Sequence, residues 1–303
     1  MNVTTTLKEL VEAGTRELRE AAGAARENPR REAAIILQAA VGLDRTHLLK
    51  HGDEVVHPPQ LIRYWTMVRD RVRGMPLQLI LGETAFHDVL LAVESGVFIP
   101  RPETEVLVEE VAKSIDDLLD EWGGSKDASV CVLDIGTGTG AIAIALAARY
   151  AKDPEVRLYG ADWSPRAVRL ARHNARRNGV AGRVEFRRSN LFSAFADLEG
   201  QVDVLVSNPP YLSPDESETL PIEVRLGDPR EALFDPDGGT GFHRRIALRG
   251  RDFLKPGGTL LFEIGHTQGH DVQAILHRSG YSDVEVLPDL AGRDRIVRGR
   301  LLY

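Results

Sequence analysis

The second two-thirds of the chain alternates, and this limits the possible folds more than any single motif does. After residue 100, short apolar runs recur: "SVCVLDI", "VRLYGAD", "RVEFRR", "VDVLVSN", "GTLLFEIG" and "SDVEVLPD". Helical patterns separate the early ones, namely "PETEVLVEEVAKSIDDLL", "AIAIALAARYA" and "PRAVRLARHNARRNG". Strands that are apolar at nearly every position are buried on both faces. Alternated with helices, they predict an α/β fold: a doubly wound, mostly parallel sheet covered on both sides.

The first 82 residues lack this pattern. "TLKELVEAGTRELREAA", "PRREAAIILQAAVGL" and "PPQLIRYWTMVRDRVRG" carry apolar residues at helical spacing. We therefore expect a small helical domain over 1–82 and a β-hairpin linker over 83–98, broken at Glu94-Ser95-Gly96. The alternating sheet domain is expected over 99–303. Tyr64 and Trp65 are expected in the core or at an interface of the helical domain.

With 303 residues, 43% of them apolar, the chain can bury two cores. No run approaches the roughly 18 apolar residues of a membrane span, and "MNVTTTLKELVEAG" does not have the form of a signal peptide. Cys131 is the single cysteine, which excludes an internal disulfide and suggests a reducing cytoplasm. The net charge of −7 argues against duplex nucleic acid as the main partner. Arg166, Arg169, Arg172 and Arg176 recur at helical spacing opposite Ala167, Leu170 and Ala171, as a solvated helix face does. His266 and His270 are four apart but interrupted by Gly265 and Gly269, so no metal site is expected there.

The first strand runs into "LDIGTGTGAIAIALA". Gly136, Gly138 and Gly140 permit a tight turn, and the following helix directs free N–H groups at a ligand. Asp162 closes the second strand, placed to accept hydrogen bonds from both hydroxyls of a ribose. The spacing Gly136-x-Gly138-x-x-Ala141 also satisfies a dinucleotide fingerprint, which leaves NAD open. Asp134, before the turn, would repel phosphates and attract a cation. This shifts the balance to S-adenosylmethionine, which carries a sulfonium and an ammonium and no phosphate.

A further strand, "VDVLVSN", ends in Asn208-Pro209-Pro210-Tyr211. Prolines cannot extend a sheet ladder, so the chain bends where ligands of a doubly wound sheet bind. A planar NH₂ conjugated to a carbonyl or a ring is a poor nucleophile. The Asn208 side-chain carbonyl and the Pro209 backbone carbonyl would each accept one of its hydrogens, and Tyr211 would stack on the planar group. Two acceptors aimed at one NH₂ hold it in line with a methyl donor.

"FIPRPETEVLVE", "LDIGTGTGAIAIALA", "SNPPYL", "DPREALFDPDGGTGFHRRI" and "LKPGGTLLFEIG" occur together and in that order. The set resembles the release-factor glutamine methyltransferases, the HemK/PrmC family. The resemblance implies a Rossmann-like, seven-stranded methyltransferase sheet with a helical N-terminal domain joined by a hairpin. It also implies S-adenosylmethionine as donor and S-adenosylhomocysteine as product. The implied reaction methylates the glutamine amide in the Gly-Gly-Gln motif of class I peptide-chain release factors. The implied cofactor residues are Asp134, Gly136, Thr137, Gly138, Thr139, Gly140, Asp162, Asn190, Leu191 and Asn208. Asn208, Pro209, Pro210 and Tyr211 would be catalytic and would hold the substrate, with Arg101, Pro102 and Glu105 near the mouth. Pro102 and the acids after it would also serve as a helix start. Leu191 stands where some relatives have an aromatic beside the adenine, and "RLGDPREAL" lacks the aromatic that often precedes its acid–proline pair.

Four other functions compete: a ribosomal-protein glutamine methyltransferase, an adenine-N6 nucleic-acid methyltransferase, a nicotinamide dehydrogenase, and a non-catalytic module docking to the translation machinery. The adenine enzyme would need a basic target-recognition region, which the acidic balance opposes. A dehydrogenase has no use for Asn-Pro-Pro-Tyr, and a non-catalytic module would show an eroded glycine turn. The expected protein is a cytoplasmic monomer, with the release factor docking on the helical domain and no membrane or direct nucleic-acid contact.

Overall fold

The computed structural model describes residues 5–21, 28–121 and 129–302, which fall into two units. The last residue of the first predicted helix, and the first four residues used in judging a signal peptide, lie outside the described residues.

One unit is helical: α1 (Leu7–Glu20), α2 (Pro29–Val41), α3 (Arg45–Lys50), α4 (Pro58–Val72) and α5 (Leu77–Leu81). Helix α1 opens on a capping box, in which the Thr6 hydroxyl accepts the Glu9 N–H and the Glu9 carboxylate accepts the Thr6 N–H. Asn28 caps α2, and Gly42 ends it in the left-handed region at φ 75°. Tyr64 is fully buried in this core and donates its hydroxyl to the Leu10 carbonyl at 2.9 Å. Trp65 packs against the same cluster from a partly buried position. Gly14 allows this packing, since a Cβ there would lie 1.9 Å from the Tyr64 oxygen.

The other unit holds a hairpin, β1 (Glu83–Phe86) and β2 (Val89–Ala92), then α6 (Thr104–Glu121) and β3 (Val130–Ile135). There follow α7 (Ala141–Arg149), β4 (Val156–Asp162), α8 (Pro165–Arg177), β5 (Val184–Arg188) and β6 (Val202–Ser207). The last strands are β7 (Leu254–Glu263), β8 (Tyr281–Pro288) and β9 (Asp294–Leu301). The large sheet has seven strands in the order β5-β4-β3-β6-β7-β9-β8. Only β9 runs against its neighbours. Strands β3 and β6 are buried at every position, which is why they read as unbroken apolar runs. Helix α7 is buried at Ala141–Ala147, whereas α8 buries Ala167, Val168, Leu170 and Ala171 and exposes Arg166, Arg169, Arg172 and Arg176.

The observed division differs from the expected 1–82, 83–98 and 99–303 in two places. The hairpin, which follows the helical unit in chain order, clusters with the sheet unit. Two asparagine side chains, Asn174 of α8 and Asn178 just after it, explain this by acting as a neighbouring strand. Asn174 accepts the Ala92 N–H and donates to its carbonyl, and Asn178 does the same with Leu90. The turn falls at His87–Asp88, with His87 at φ 49°, rather than at Glu94–Gly96. Second, Thr219–Gly227 belongs to the helical unit. There the buried Arg71 guanidinium lies 2.7 Å from Glu32 and 2.7 Å from Glu223.

Candidate active site

Three strand ends meet in the sheet. Ile135 pairs with Ala161 on one side and Ser207 on the other, so the residues after β3, β4 and β6 are neighbours. The N–H groups of Gly136 and Thr137 both donate to the Ala161 carbonyl, at 2.8 and 2.9 Å, folding the glycine turn over the end of β4. Gly136 is in the left-handed region at φ 79°. A Cβ there would stand 3.9 Å from the Asn208 carbonyl, so the turn and the Asn-Pro-Pro-Tyr bend are adjacent.

Asp162 ties these pieces together. One carboxylate oxygen accepts the Gly138 N–H and the other the Ser164 N–H, both at 2.9 Å. Burial pushes its pKa above the ordinary value, and the two backbone bonds pull it back. Trp163, the next residue, is 58% exposed, leaving a flat ring available to stack.

A cavity of about 150 Å³ opens here, many times the volume a single water needs. Its walls include Gly136, Asp162, Trp163, Leu191 and all four residues Asn208–Tyr211. Leu191 holds a left-handed backbone at φ 52° beside it. Among the described residues, the only charged ones lining it are two acids, Asp162 and Glu231, with no lysine, arginine or histidine. Such a lining suits a cationic nucleoside and opposes a pyrophosphate.

Other residues predicted from sequence lie elsewhere. Asp134 is off the cavity wall and 1% exposed. Its carboxylate accepts the Thr137 hydroxyl at 2.6 Å, and its other oxygen is buried without a partner. Strand alternation explains its position: Asp134 shares the sheet face of Val130 and Val132, and Ile135 has the other. Burial raises the Asp134 pKa to about 7. Thr137, Gly138, Thr139 and Gly140 shape the turn without lining the cavity, while Asn190 lines a neighbouring cavity with Trp163 and Arg188.

The "PRPETE" residues also stand back from the cavity wall. Arg101 binds the Asp228 carboxylate, which also accepts the Ile99 N–H at 2.9 Å. It thereby fixes the start of the "DPREAL" loop, whose Pro229, Glu231, Ala232 and Leu233 line the cavity. Pro102 is exposed just before α6, and Glu105 accepts the His87 N–H at 3.0 Å, anchoring the hairpin turn.

Three residues of the site escaped the sequence reading. Trp163 follows Asp162 directly, so its adjacency was the available signal. Thr104 and Glu263 were hidden inside "PRPETE" and "LLFEIG". The Asn208 side-chain NH₂ donates to the Thr104 hydroxyl at 3.2 Å, and that hydroxyl donates to the Glu263 carboxylate at 2.6 Å. Burial raises Glu263 to about 7, with the Thr104 bond and Arg295 opposing it. Burial also lifts the Tyr211 hydroxyl well above the phenol range, so it stays protonated.

Among the described residues, His47, His51 and Glu54 are the one group of ligand-type side chains within metal-binding reach of one another. They are partly or fully exposed, and Glu54 pairs with His47 at 2.9 Å and with His51 at 3.4 Å. No described helix is long and apolar enough to cross a membrane.

Known proteins resemble this chain in sequence and in fold. Residues 9–82 match the PrmC N-terminal domain and residues 106–233 the methyltransferase small domain. A release factor glutamine methyltransferase of Geobacter sulfurreducens is 37% identical over 275 residues, 91% of this chain and 90% of the relative. One from Moorella thermoacetica is 37% identical over 270 residues, 89% of this chain and 90% of the relative. The hMettl16 catalytic domain shares the fold at a TM-score of 0.53 and 15% identity, covering 82% of this chain and 84% of that one. The chain belongs to the release factor glutamine methyltransferase family and is a methyltransferase.

Proposed function

We propose that this enzyme moves a methyl group from S-adenosylmethionine to the side-chain amide nitrogen of glutamine in the Gly-Gly-Gln motif of class I release factors. The observation that carries this reading is the adjacency of two devices in one cavity. One is a strand-end acid beside a glycine turn, and the other is an Asn-Pro-Pro-Tyr bend. The names of the relatives support the choice of substrate.

The cavity residues fit the cofactor, since two carboxylates and no cation suit a positively charged nucleoside without phosphates. Asp162 would hold the ribose hydroxyls, with Trp163 and Leu191 against the adenine. The bound cofactor supplies an electrophilic methyl on sulfur. The Asn208 side-chain oxygen and the Pro209 carbonyl accept the two amide hydrogens, which favours a pyramidal nitrogen at the transition state. Tyr211, protonated throughout, stacks on the amide plane. Methyl transfer to the substrate nitrogen would leave the cofactor as a neutral thioether. The nitrogen, now cationic and acidic, gives its extra proton to water, so no strong base is needed. Arg101 shapes the mouth through Asp228, with Pro102 and Glu105 fixing the neighbouring backbone. Asp134 supports the turn from behind. The helical unit would dock the release factor, and the enzyme would act as a cytoplasmic monomer.

The test uses radiolabelled S-adenosylmethionine with release factor, a Gly-Gly-Gln-altered release factor, a ribosomal-protein fraction, or DNA. Label is expected on the unaltered release factor alone. Label on the altered factor, the ribosomal fraction or DNA instead would refute the assignment.

A further inference from the structure

We propose that Thr104 and Glu263 are positioning residues that lock the orientation of the Asn208 carboxamide, so that its oxygen faces the substrate. The proposal rests on the reading of Asn208 as the group that grips a planar NH₂.

An asparagine amide has an accepting end and a donating end of nearly equal shape, and coordinates alone do not separate them. Here hydrogen-bond chemistry does. The Thr104 hydroxyl carries one hydrogen. At 2.6 Å from the Glu263 carboxylate, that hydrogen belongs to the carboxylate, which in its ionised form can only accept. The Thr104 oxygen, 3.2 Å from the Asn208 terminus, then has only lone pairs to offer, so the Asn208 NH₂ must face it. The amide oxygen is left for the cavity, where no described residue donates to it. Reversing the amide would set two acceptors against each other or break the Thr104–Glu263 bond.

The chain of bonds is rigid because both of its inner members are sealed from water. Thr104 is 4% exposed and Glu263 1% exposed. Thr104 begins α6 and Glu263 ends β7, so two regular elements set the spacing instead of a loop. The His243 ring bonds to the Glu263 backbone carbonyl at 3.0 Å and holds the strand end itself. Within an ordered site, an amide free to flip would present its NH₂ to the substrate NH₂ for part of the time, and each such encounter is unproductive.

Two substitutions at different points of the chain test this. Thr104→Val keeps the side-chain shape and removes the hydroxyl. Glu263→Gln turns the acceptor into a group that can donate to Thr104, freeing the hydroxyl hydrogen to hold the Asn208 oxygen inward. Each variant is assayed at about pH 8 with full-length release factor. The kcat is expected to fall at least tenfold, with the KM for S-adenosylmethionine and for release factor within threefold of wild type. Thr104→Ser, which restores the hydroxyl, should recover kcat to within threefold of wild type.

Wild-type kcat in Thr104→Val would overturn the proposal. So would a loss of cofactor affinity parallel to the loss of kcat, because that reports general damage to the fold. Failure of Thr104→Ser to recover activity would count against it in the same way. A parallel arm with DNA separates this proposal from the choice of substrate. If wild type labels DNA and not release factor, the substrate assignment fails, and the same kcat ratios on DNA still decide the positioning role. If wild type labels neither, both fail.

Discussion

Replacing Asp162 by asparagine changes a single atom and has a calculable consequence. Both carboxylate oxygens accept a backbone N–H at 2.9 Å, one from Gly138 and one from Ser164. An amide has only one accepting oxygen, so its NH₂ must point at one of those N–H groups whichever way it turns. One charge-assisted bond is lost, worth about 1.5–3 kcal/mol, and one backbone N–H is stranded at about 1–3 kcal/mol. Two effects reduce the sum. Asp162 is partly exposed, so water can reach the stranded group, and the neutral amide escapes the burial cost that raises the acid's pKa. The net loss should be about 1–3 kcal/mol, or roughly 2–10 °C in melting temperature for a unit of this size. As the proposed ligand of the ribose, Asp162 also contributes to cofactor affinity, so the dissociation constant for S-adenosylmethionine should rise by roughly 10- to 100-fold. Calorimetric titration and a thermal melt on the same preparation measure both. An affinity within twofold of wild type, together with an unchanged melt, would show that Asp162 neither holds the glycine turn nor binds the cofactor.

Other perturbations have equally definite outcomes. Asn208→Ala should abolish methyl transfer while leaving S-adenosylmethionine affinity within about threefold; retained turnover removes Asn208 from the mechanism. Asp134 and Glu263, ordinarily near 3.8 and 4.5, are raised by burial to about 7 in the folded state. Between about pH 4 and 7 the unfolded chain therefore releases protons that these two groups keep when folded, so their contribution to stability falls as pH rises; buried His243, lowered to about 4, offsets part of it below about pH 6.5. Melting temperatures from pH 5 to 7 should decline, less steeply in Glu263→Gln; a rising curve contradicts the assignment. Gly14→Ala pits about 1 kcal/mol of helix propensity against a Cβ placed 1.9 Å from the Tyr64 oxygen. Overpacking at about 1–3 kcal/mol plus the lost Tyr64–Leu10 bond should win, giving net destabilisation in urea. Adding Tyr64→Phe should recover part of it, and a stabilised Gly14→Ala would refute the clash.

The parts of the fold that could be read in the sequence are those where burial leaves one solution. Strands β3 and β6 are apolar throughout because both faces are covered, and α8 shows its arginine face at plain helical spacing. Strand β9 did not register in the sequence. "DRIVRGRL" is rich in charge, and its place in the sheet depends on pairing with β7 and β8 rather than on local pattern. In the same way, Asn208 sits in a recognisable motif, but Thr104, which accepts from its NH₂, and Glu263, which accepts from Thr104, lie 104 and 55 residues away from it. Chain order cannot reveal such a meeting. Asp134 was read as acting directly on the ligand, and strand alternation places it behind the turn, on the sheet face of Val130 and Val132.

The short segment Thr219–Gly227 has one more consequence. Because it belongs with the helices, the polypeptide passes between the two units three times, after Gly82, Glu218 and Gly227. A protein begun at residue 83 would therefore keep a stranded piece of its missing neighbour. Ile222 would lose the backbone at Gly74, whose Cβ position is 3.1 Å away, and Glu223 would lose Arg71. One cut in the chain therefore does not separate the two units.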